Sequence, residues 1–209
     1  MEQRSTEWFE ARLGMFTGSV FADVLAVSKR DKKPLKEREN LIWRLATERI
    51  NGCQARRVEG QALRWGTEAE QGARETYELE TGLVIEDAGF IRHPLHYFVG
   101  CSPDGLVEAD GGVEIKSPFN SDIHMRRFLD GMPEEFKPQV QGCMWVTGRK
   151  WWDFVSFDPN AAPSFQLLVI RQHREDEYIA ELERQVIDAE REVSALVDQL
   201  MATVLQAAA

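Results

Sequence analysis

The stretch that decides the fold reads Cys101-Ser102-Pro103-Asp104-Gly105-Leu106-Val107 and, after a short turn, Gly111-Gly112-Val113-Glu114-Ile115-Lys116-Ser117-Pro118. A hairpin turn signal, Ala109-Asp110-Gly111-Gly112, joins the two halves. A hairpin between Gly105 and Val113 returns the chain, so that Asp104 and Glu114 lie side by side. Because side chains alternate along a strand, Glu114 and Lys116 face the same way. Two carboxylates and an ammonium are therefore expected to converge on one point.

This constellation suits the metal-assisted hydrolysis of a phosphodiester. Like charges held together are costly unless a cation joins them, and oxygen-only ligands select a hard ion such as Mg²⁺. Asp104 and Glu114 are therefore predicted metal ligands. One or two ions, with Mn²⁺ as a substitute, neutralise the phosphoryl charge and lower the pKa of the attacking water. Lys116 is expected to orient or deprotonate that water, or to stabilise the charge that develops on the phosphate.

The alternative is a surface hairpin with an ordinary exposed Glu/Lys pair. A Glu-x-Lys segment alone is common on exposed strands and indicates little. Pro-Asp-Gly followed, ten residues after its aspartate, by Glu-x-Lys is more specific. This spacing resembles the Asp…(Asp/Glu)-x-Lys signature of the restriction-endonuclease-like, or PD-(D/E)XK, nucleases.

Length and composition agree with a single domain. Of the 209 residues, 43% are hydrophobic and 29% are charged, as in a soluble globular protein with one core. No apolar run approaches the roughly 20 residues that span a membrane, and residues 1–5 lack the apolar stretch of a secretory signal. The three cysteines form no Cys-x-x-Cys pair, which excludes a zinc ribbon. We expect one nuclease domain over residues 1–209, cytoplasmic and without membrane contact.

The net charge of −10 does not exclude a nucleic-acid partner, because it is unevenly distributed. The segment from Arg174 to Gln199 contains nine acidic residues and three arginines, which gives it a net charge of −6. Basic residues cluster elsewhere, at Lys29, Arg30, Lys32 and Lys33, at Arg56 and Arg57, at Arg126 and Arg127, and at Arg149 and Lys150. Binding to phosphates depends on the local potential, so an acidic total permits a basic groove.

The hydrophobic pattern predicts an α/β fold, with a central mixed β-sheet flanked by helices. Helical spacing covers residues 8–26 with interruptions, 37–50, 66–79 and 138–146; short strands are predicted at 84–85, 89–91, 97–99, 112–116, 152–157 and 167–170. A long helix over about 173–207 carries an apolar seam, which reads Ile179, Leu182, Val186, Ala189, Val193, Leu196 and Leu200. The seam packs either on the sheet of its own chain or on another subunit.

Further motifs surround the hairpin. They read Trp8…Arg12-Leu13-Gly14…Thr17-Gly18-Ser19, then Leu63-Arg64-Trp65-Gly66…Glu70, and Gln139-Val140-Gln141…Met144-Trp145-Val146-Thr147. In this order along the chain they resemble the phage lambda exonuclease and YqaJ-type viral recombinase family, a branch of the restriction-endonuclease-like superfamily. The resemblance spans about residues 8–159 and does not include the C-terminal helix.

The resemblance implies a function and an assembly. The family degrades one strand of linear duplex DNA from a 5′-phosphorylated end and leaves a 3′ overhang for a single-strand annealing protein. It forms a ring-shaped homotrimer around DNA, which would give the C-terminal seam a use. A phage or prophage protein acting in a bacterial host is therefore expected.

The resemblance also assigns roles to individual residues. Asp104 and Glu114 correspond to metal ligands, with the Ile115 carbonyl completing the set and Lys116 as the water-activating lysine. Glu70 corresponds to a further acidic group near the second metal or the water. The remaining positions bind DNA: Arg12, Ser19, Ser102 and Gln141 hold the 5′-phosphate, and Leu63 is a wedge between the strands. Arg30 lies on a basic loop that either tracks DNA or is only solvated.

Ordinary roles compete with several of these assignments. Ser19 is equally well a helix N-cap, and Glu70 complements the helix dipole if it lies in the first turns of its helix. Gln141 is alternatively a hydrogen-bonded amide at the edge of an apolar helix, and Leu63 a core residue. At the level of the whole protein, a restriction- or repair-type endonuclease shares the metal site, and a non-catalytic DNA-binding scaffold is the alternative of another class.

Overall fold

The computed structural model describes residues 3–28, 30, 33–54 and 61–207, and of Gln61, Ala62 and Leu63 it describes the backbone only. Within these ranges the helices are α1 Thr6–Ala11, α2 Phe21–Val24, α3 Lys36–Asn51, α4 Gln61–Thr81, α5 Ser121–Asp130, α6 Lys137–Thr147 and α7 Asp176–Ala207. The strands are β1 Phe16–Thr17, β2 Ile85–Glu86, β3 Ile91–Arg92, β4 Val99–Cys101, β5 Gly105–Val107, β6 Gly111–Lys116, β7 Trp151–Phe157 and β8 Leu167–His173. No helix in these ranges has the length and apolar character to cross a membrane.

The strands of the described residues form a five-stranded sheet in the order β2-β5-β6-β7-β8 and a three-stranded sheet in the order β1-β4-β3. In the larger sheet β6 runs parallel to β7, and the other neighbours are antiparallel. The predicted α/β fold with a mixed sheet flanked by helices is confirmed. Its central strand is β6, which carries Glu114 and Lys116.

The predicted hairpin is confirmed, with Gly105 opposite Val113. The turn lies before Gly111-Gly112 rather than at these glycines. It includes Glu108, which takes the left-handed conformation with a φ of 50°. Gly111 and Gly112 instead belong to β6, where a Cβ would collide with the rings of Trp151 and Trp152 on β7. The glycines therefore permit the close approach of the two central strands.

The C-terminal helix packs within its own chain, mainly on other helices. Its seam residues Ile179, Leu182, Val186, Ala189 and Val193 are buried in the larger core cluster. The main neighbour of α7 is α3, with α6 and α2 beside it. Two ion pairs reinforce this contact: Arg49 binds both carboxylate oxygens of Glu190 at 2.8 and 2.6 Å, and Arg38 binds Glu192 at 2.7 Å. Of the two alternatives for the seam, packing within its own chain is confirmed, with helices rather than the sheet as the main neighbours.

Helix α5 was not predicted, because its buried side carries polar residues. His124 and Arg127 are its buried residues, whereas Ile123, Met125 and Leu129 are exposed. His124 and Arg127 both bond Ser156 Oγ on β7, at 2.8 and 2.9 Å. Hydrogen bonds to Ser156 therefore fix the buried side of α5 against the central sheet.

Candidate active site

Asp104 begins the hairpin, and its carboxylate is held by the opposite strand. Its Oδ2 accepts a hydrogen bond of 2.7 Å from the backbone N–H of Ile115. Burial, followed by the negative charge of Glu114, raises the pKa of Asp104 to about 8, although Lys116 and the Ile115 N–H act in the opposite direction. The predicted meeting of Asp104 with Glu114 is thus present as a close, mutually repelling pair.

Glu114 and Lys116 face the same way along β6, as the alternation of side chains predicts. Lys116 Nζ donates to Glu114 Oε1, and Gln139 Nε2 on α6 donates to the same oxygen at 2.6 Å. Burial tends to lower the pKa of Lys116, but the charges of Glu114 and Asp104 outweigh it, so the net change is upward and the side chain is an ammonium. The ammonium also lies 5.2 Å from the centre of the Phe136 ring.

The donor set fits a hard divalent cation. Glu114 Oε2 is buried and has no hydrogen-bond partner among the residues that the structure describes. A buried carboxylate oxygen left in this state is costly, and a cation shared with Asp104 would offset both this cost and the repulsion between the two carboxylates. Within the described ranges, no three His, Cys, Asp or Glu side chains are grouped as a metal site. The fit therefore concerns the Asp104–Glu114 pair.

Glu70 lies near Asp104, but among the described residues it does not form a three-carboxylate group with Asp104 and Glu114. It lines the same cleft as Asp104, a space of about 410 Å³ that Gln3, Arg74, Asp87, Ala88 and Gly89 complete. Its charge is a minor cause of the raised pKa of Asp104. Helix α4 begins at Gln61 rather than near Gly66 and has no acidic residue in its first turn, so Glu70 does not complement the helix dipole. The surroundings of the Glu70 carboxylate are therefore those of the cleft and not those of a helix N-terminus.

The predicted phosphate-binding residues Arg12 and Ser102 are in direct contact. Ser102 Oγ accepts from Arg12 Nη1 at 2.6 Å and from Trp8 Nε1 at 2.9 Å. The Arg12 guanidinium stacks 4.0 Å above the Trp8 ring, which fixes its plane. Ser102 is joined to Asp104 through the single residue Pro103, so this cluster is linked directly to the first of the two carboxylates along the chain.

Ser19 extends the same cluster. Its Oγ lies 3.4 Å from Thr17 Oγ1, which in turn lies 3.5 Å from Arg12 Nη2. Ser19 is exposed within a 3₁₀ turn over Gly18–Val20, and the cap positions of that turn and of α2 are Thr17 and Val20. The N-cap explanation for Ser19 is therefore wrong, and its hydroxyl is open to a ligand.

The structure contradicts the assignment of Gln141 to the phosphate. Gln141 is fully buried, its Nε2 donates to His173 O at 2.8 Å, and its Oε1 accepts from Glu175 N at 2.9 Å. Both ends of its amide fix the junction between β8 and α7. Gln139, which sequence reasoning missed, is the glutamine of this motif that reaches Glu114. Two residues along a helix turn by about 200°, so the two amides point to opposite sides.

For two residues that were predicted to contact DNA, Leu63 and Arg30, the described part of the chain gives no contact with this cluster. The side chain of Leu63 lies outside the described residues, as do Lys29 and Lys32. Arg30 is exposed between α2 and α3, and its backbone N–H donates to Ser28 Oγ at 3.3 Å. The wedge and the tracking loop therefore stay predictions.

The fold and the paired carboxylates are those expected of a nuclease, and comparison with known proteins supports this class. An alkaline exonuclease from Laribacter hongkongensis is 37% identical over 97% of this chain and 99% of its own, with a TM-score of 0.88. The crystal structure of that enzyme in complex with dAMP gives a TM-score of 0.89.

The chain belongs to the YqaJ-like viral recombinase domain family, whose model matches residues 7–150. A phage-related exonuclease from Haemophilus somnus, 17% identical over 89% of this chain and 96% of its own, shares the fold with a TM-score of 0.67. An uncharacterized protein of Acanthamoeba polyphaga mimivirus is 28% identical over 167 residues, which is 74% of this chain. The chain spans only 29% of the length of that viral relative.

Proposed function

We propose that the protein is a Mg²⁺-dependent exonuclease that degrades linear double-stranded DNA in the 5′→3′ direction from a 5′-phosphorylated end. The product would be a duplex with a 3′ single-stranded overhang, suited to recombination by strand annealing. One observation carries the proposal: Ser102, which contacts Arg12, and Asp104 both lie in the short connection between β4 and β5. A site for a terminal phosphate next to a hydrolytic site defines an end-directed nuclease.

The bound nucleotide of the Laribacter relative supports this proposal. That enzyme binds dAMP, a nucleoside monophosphate of the kind that an exonuclease releases from DNA. The guanidinium of Arg12 presents donors in a planar fork, which suits the oxygens of a terminal phosphate. Ser102 and the exposed Ser19 offer further hydroxyl donors beside it.

Each polar group around the carboxylates then has a role. Asp104 and Glu114, with the Ile115 carbonyl, would hold one or two Mg²⁺ ions, for which Mn²⁺ can substitute. A bound ion would neutralise phosphoryl charge and lower the pKa of a coordinated water. Gln139 and Lys116 orient Glu114, and the Lys116 ammonium also orients the attacking water and stabilises the charge of the transition state. Glu70 provides a further acidic group on the cleft side.

The assembly and the DNA contacts complete the proposal. The buried part of the α7 seam serves the chain's own core, whereas Met201, Val204 and Leu205 near its end are 49%, 65% and 70% exposed. This end of α7 supports a contact within a homotrimeric ring around DNA. Leu63 would separate the strands and Arg30 would follow the backbone. A single-strand annealing protein would receive the overhang.

The deciding experiment is digestion of linear duplexes with 5′-phosphate or 5′-hydroxyl ends, with and without Mg²⁺. We expect Mg²⁺-dependent release of mononucleotides, faster from the 5′-phosphorylated end, and an intact closed circular plasmid. Nicking of the plasmid would indicate an endonuclease of the same fold. DNA binding without hydrolysis in Mg²⁺ or Mn²⁺ would indicate a non-catalytic DNA-binding protein.

A further inference from the structure

The first described residues of the chain lie over the cleft beside Asp104. Gln3 Nε2 donates to Ala88 O at 3.0 Å and to Pro103 O at 2.6 Å. Pro103 directly precedes Asp104, and Ala88 lines the cleft. This amide therefore ties the N-terminal turn to two segments that surround the cleft.

Arg4, the next residue, has a strained backbone. Its φ of 69° is in the left-handed region, which is strained for a residue with a Cβ and persists where the surroundings impose it. In this conformation Arg4 Nη2 lies 3.0 Å from Glu70 Oε2. The strain is thus accompanied by an ion pair with a carboxylate of the cleft.

Glu70 needs such a partner because its surroundings are acidic. It shares the cleft with Asp104 and Asp87, and like charges drive one another apart unless a cation intervenes. Arg74, one turn further along α4 and on the same face, is engaged elsewhere: it donates to the Asp104 carbonyl oxygen and, at 2.6 Å, to Asp87 Oδ1. Arg4 is therefore the cation that the structure pairs with Glu70.

We propose that Arg4 is a positioning residue of the active site, whose guanidinium keeps the Glu70 carboxylate in the cleft beside Asp104. The inference rests on the proposed function, because Glu70 acquires its role in hydrolysis there. The N-terminal turn is accordingly part of the reaction site, with Gln3 fixing its backbone and Arg4 fixing the carboxylate.

Arg4→Gly is the most informative variant. Glycine adopts a positive φ without strain, so this change removes the guanidinium while it leaves the turn at least as favourable. Arg4→Lys keeps a cation in the same place. Arg184→Gln is a matched control for charge, because it removes a half-exposed cation whose ion pairs, with Glu181 and Asp188, stay within α7.

We expect Arg4→Gly to lower kcat about 10- to 100-fold, as small displacements of a catalytic group do. The KM for duplex DNA and the midpoint of thermal unfolding should stay close to those of the wild type. Arg4→Lys should restore part of kcat, and Arg184→Gln should match the wild type. In a Glu70→Gln background, Arg4→Gly should cause no further loss, because residues that act as a unit are non-additive.

Several outcomes would overturn the proposal. These are a wild-type or raised kcat for Arg4→Gly, a change in KM alone, or equal losses from Arg4→Gly in the wild-type and the Glu70→Gln backgrounds. A crystal structure of Arg4→Gly gives a readout that is independent of activity. The proposal requires the Glu70 carboxylate to leave the cleft, and an unmoved carboxylate contradicts it. If the wild type does not hydrolyse DNA, the proposed function fails, while this comparison still decides what Arg4 does.

Discussion

Gln139 Nε2 donates a hydrogen bond of 2.6 Å to Glu114 Oε1, the same oxygen that accepts from Lys116 Nζ. Two donors on one oxygen fix the plane of the carboxylate and leave Oε2 as the remaining acceptor. That second oxygen is buried and without a partner among the described residues. The relationship between Gln139 and Glu114 therefore determines how the carboxylate is presented to an ion, and it separates two glutamines that the sequence alone does not distinguish.

Substitution of each glutamine by leucine should give opposite results. Gln139→Leu releases Glu114, so we expect a loss of activity of about 10-fold or more, of the size seen when a group that orients a metal ligand is removed. Gln141→Leu leaves His173 O and Glu175 N unsatisfied, and should lower the free energy of unfolding by about 2–4 kcal/mol. Urea unfolding and exonuclease assays on both variants measure the two effects. A stable, inactive Gln141→Leu would contradict this division of roles.

Asp104→Asn should abolish hydrolysis and raise the stability of the metal-free protein. Asparagine keeps an oxygen that accepts from the Ile115 N–H but has no proton to lose, whereas burial and then the charge of Glu114 disfavour the ionised form of Asp104 and raise its pKa to about 8. We therefore expect a higher midpoint of thermal unfolding than that of the wild type in EDTA. Addition of Mg²⁺ should stabilise the wild type, because it binds the native state, and should have little effect on the variant. A lower midpoint for the variant in EDTA would show that the buried carboxyl of Asp104 does not destabilise the metal-free protein.

Arg12→Ala should slow digestion of a 5′-phosphorylated duplex much more than digestion of a 5′-hydroxyl duplex. Its guanidinium is fixed by Ser102 and by the Trp8 ring, and charged hydrogen bonds of this kind contribute about 1.5–3 kcal/mol. This corresponds to about 10- to 150-fold in the rate on the phosphorylated end. Arg126→Gln, which removes an exposed arginine from α5, serves as the control. Equal losses on both ends would remove Arg12 from the phosphate site.

His93 should make the fold sensitive to mild acid. Its Nδ1 accepts from the backbone N–H groups of Leu95 and His96, each at 3.1 Å, and the ring packs against Trp145. Burial is the largest cause that lowers the pKa of His93, followed by the neighbouring His96, whereas Glu183 acts in the opposite direction. The neutral ring is thus favoured in the native state. Its contribution is complete above the unfolded pKa of about 6.5 and is lost as the pH falls towards the lowered native value.

The measurement for His93 is the free energy of unfolding of the wild type and of His93→Asn at a series of pH values from 7.5 to 5. Asparagine retains an acceptor for the two backbone N–H groups and does not titrate. The difference between the two proteins should therefore shrink as the pH falls below about 6.5. A difference that is constant over this range would show that His93 does not change its protonation there.

The hairpin was predictable from sequence because every interaction that defines it is local. The turn signal, the alternation along β6 and the spacing from Asp104 to Glu114 all act within one short segment. The Arg12–Ser102 contact could not be predicted from a local pattern, because it joins residues that are distant along the chain. Only the resemblance to a family assigned these two residues to one site.

The wrong predictions concern positions where the rotational phase of a helix, or the residue at which the helix begins, determines the surroundings of a side chain. Gln139 and Gln141 both lie in α6, which is buried along most of its length, so hydrophobic periodicity does not indicate which amide faces Glu114. The start of α4 decided whether Glu70 was near a helix dipole. In α5 the usual pattern is inverted, because His124 and Arg127 face inward through hydrogen bonds to Ser156.

The parallel pairing of β6 with β7 has a consequence for the order of folding. The β5–β6 hairpin closes a short loop, whereas β7 reaches β6 only after residues 117–150 have formed the crossover through α5 and α6. Closing the longer loop costs more chain entropy, and parallel pairings form slowly. We therefore expect the carboxylates to meet early in an exposed ribbon, whereas Gln139 arrives late. Pulse-labelling hydrogen exchange should find the amides of β5 and β6 protected before those of β7.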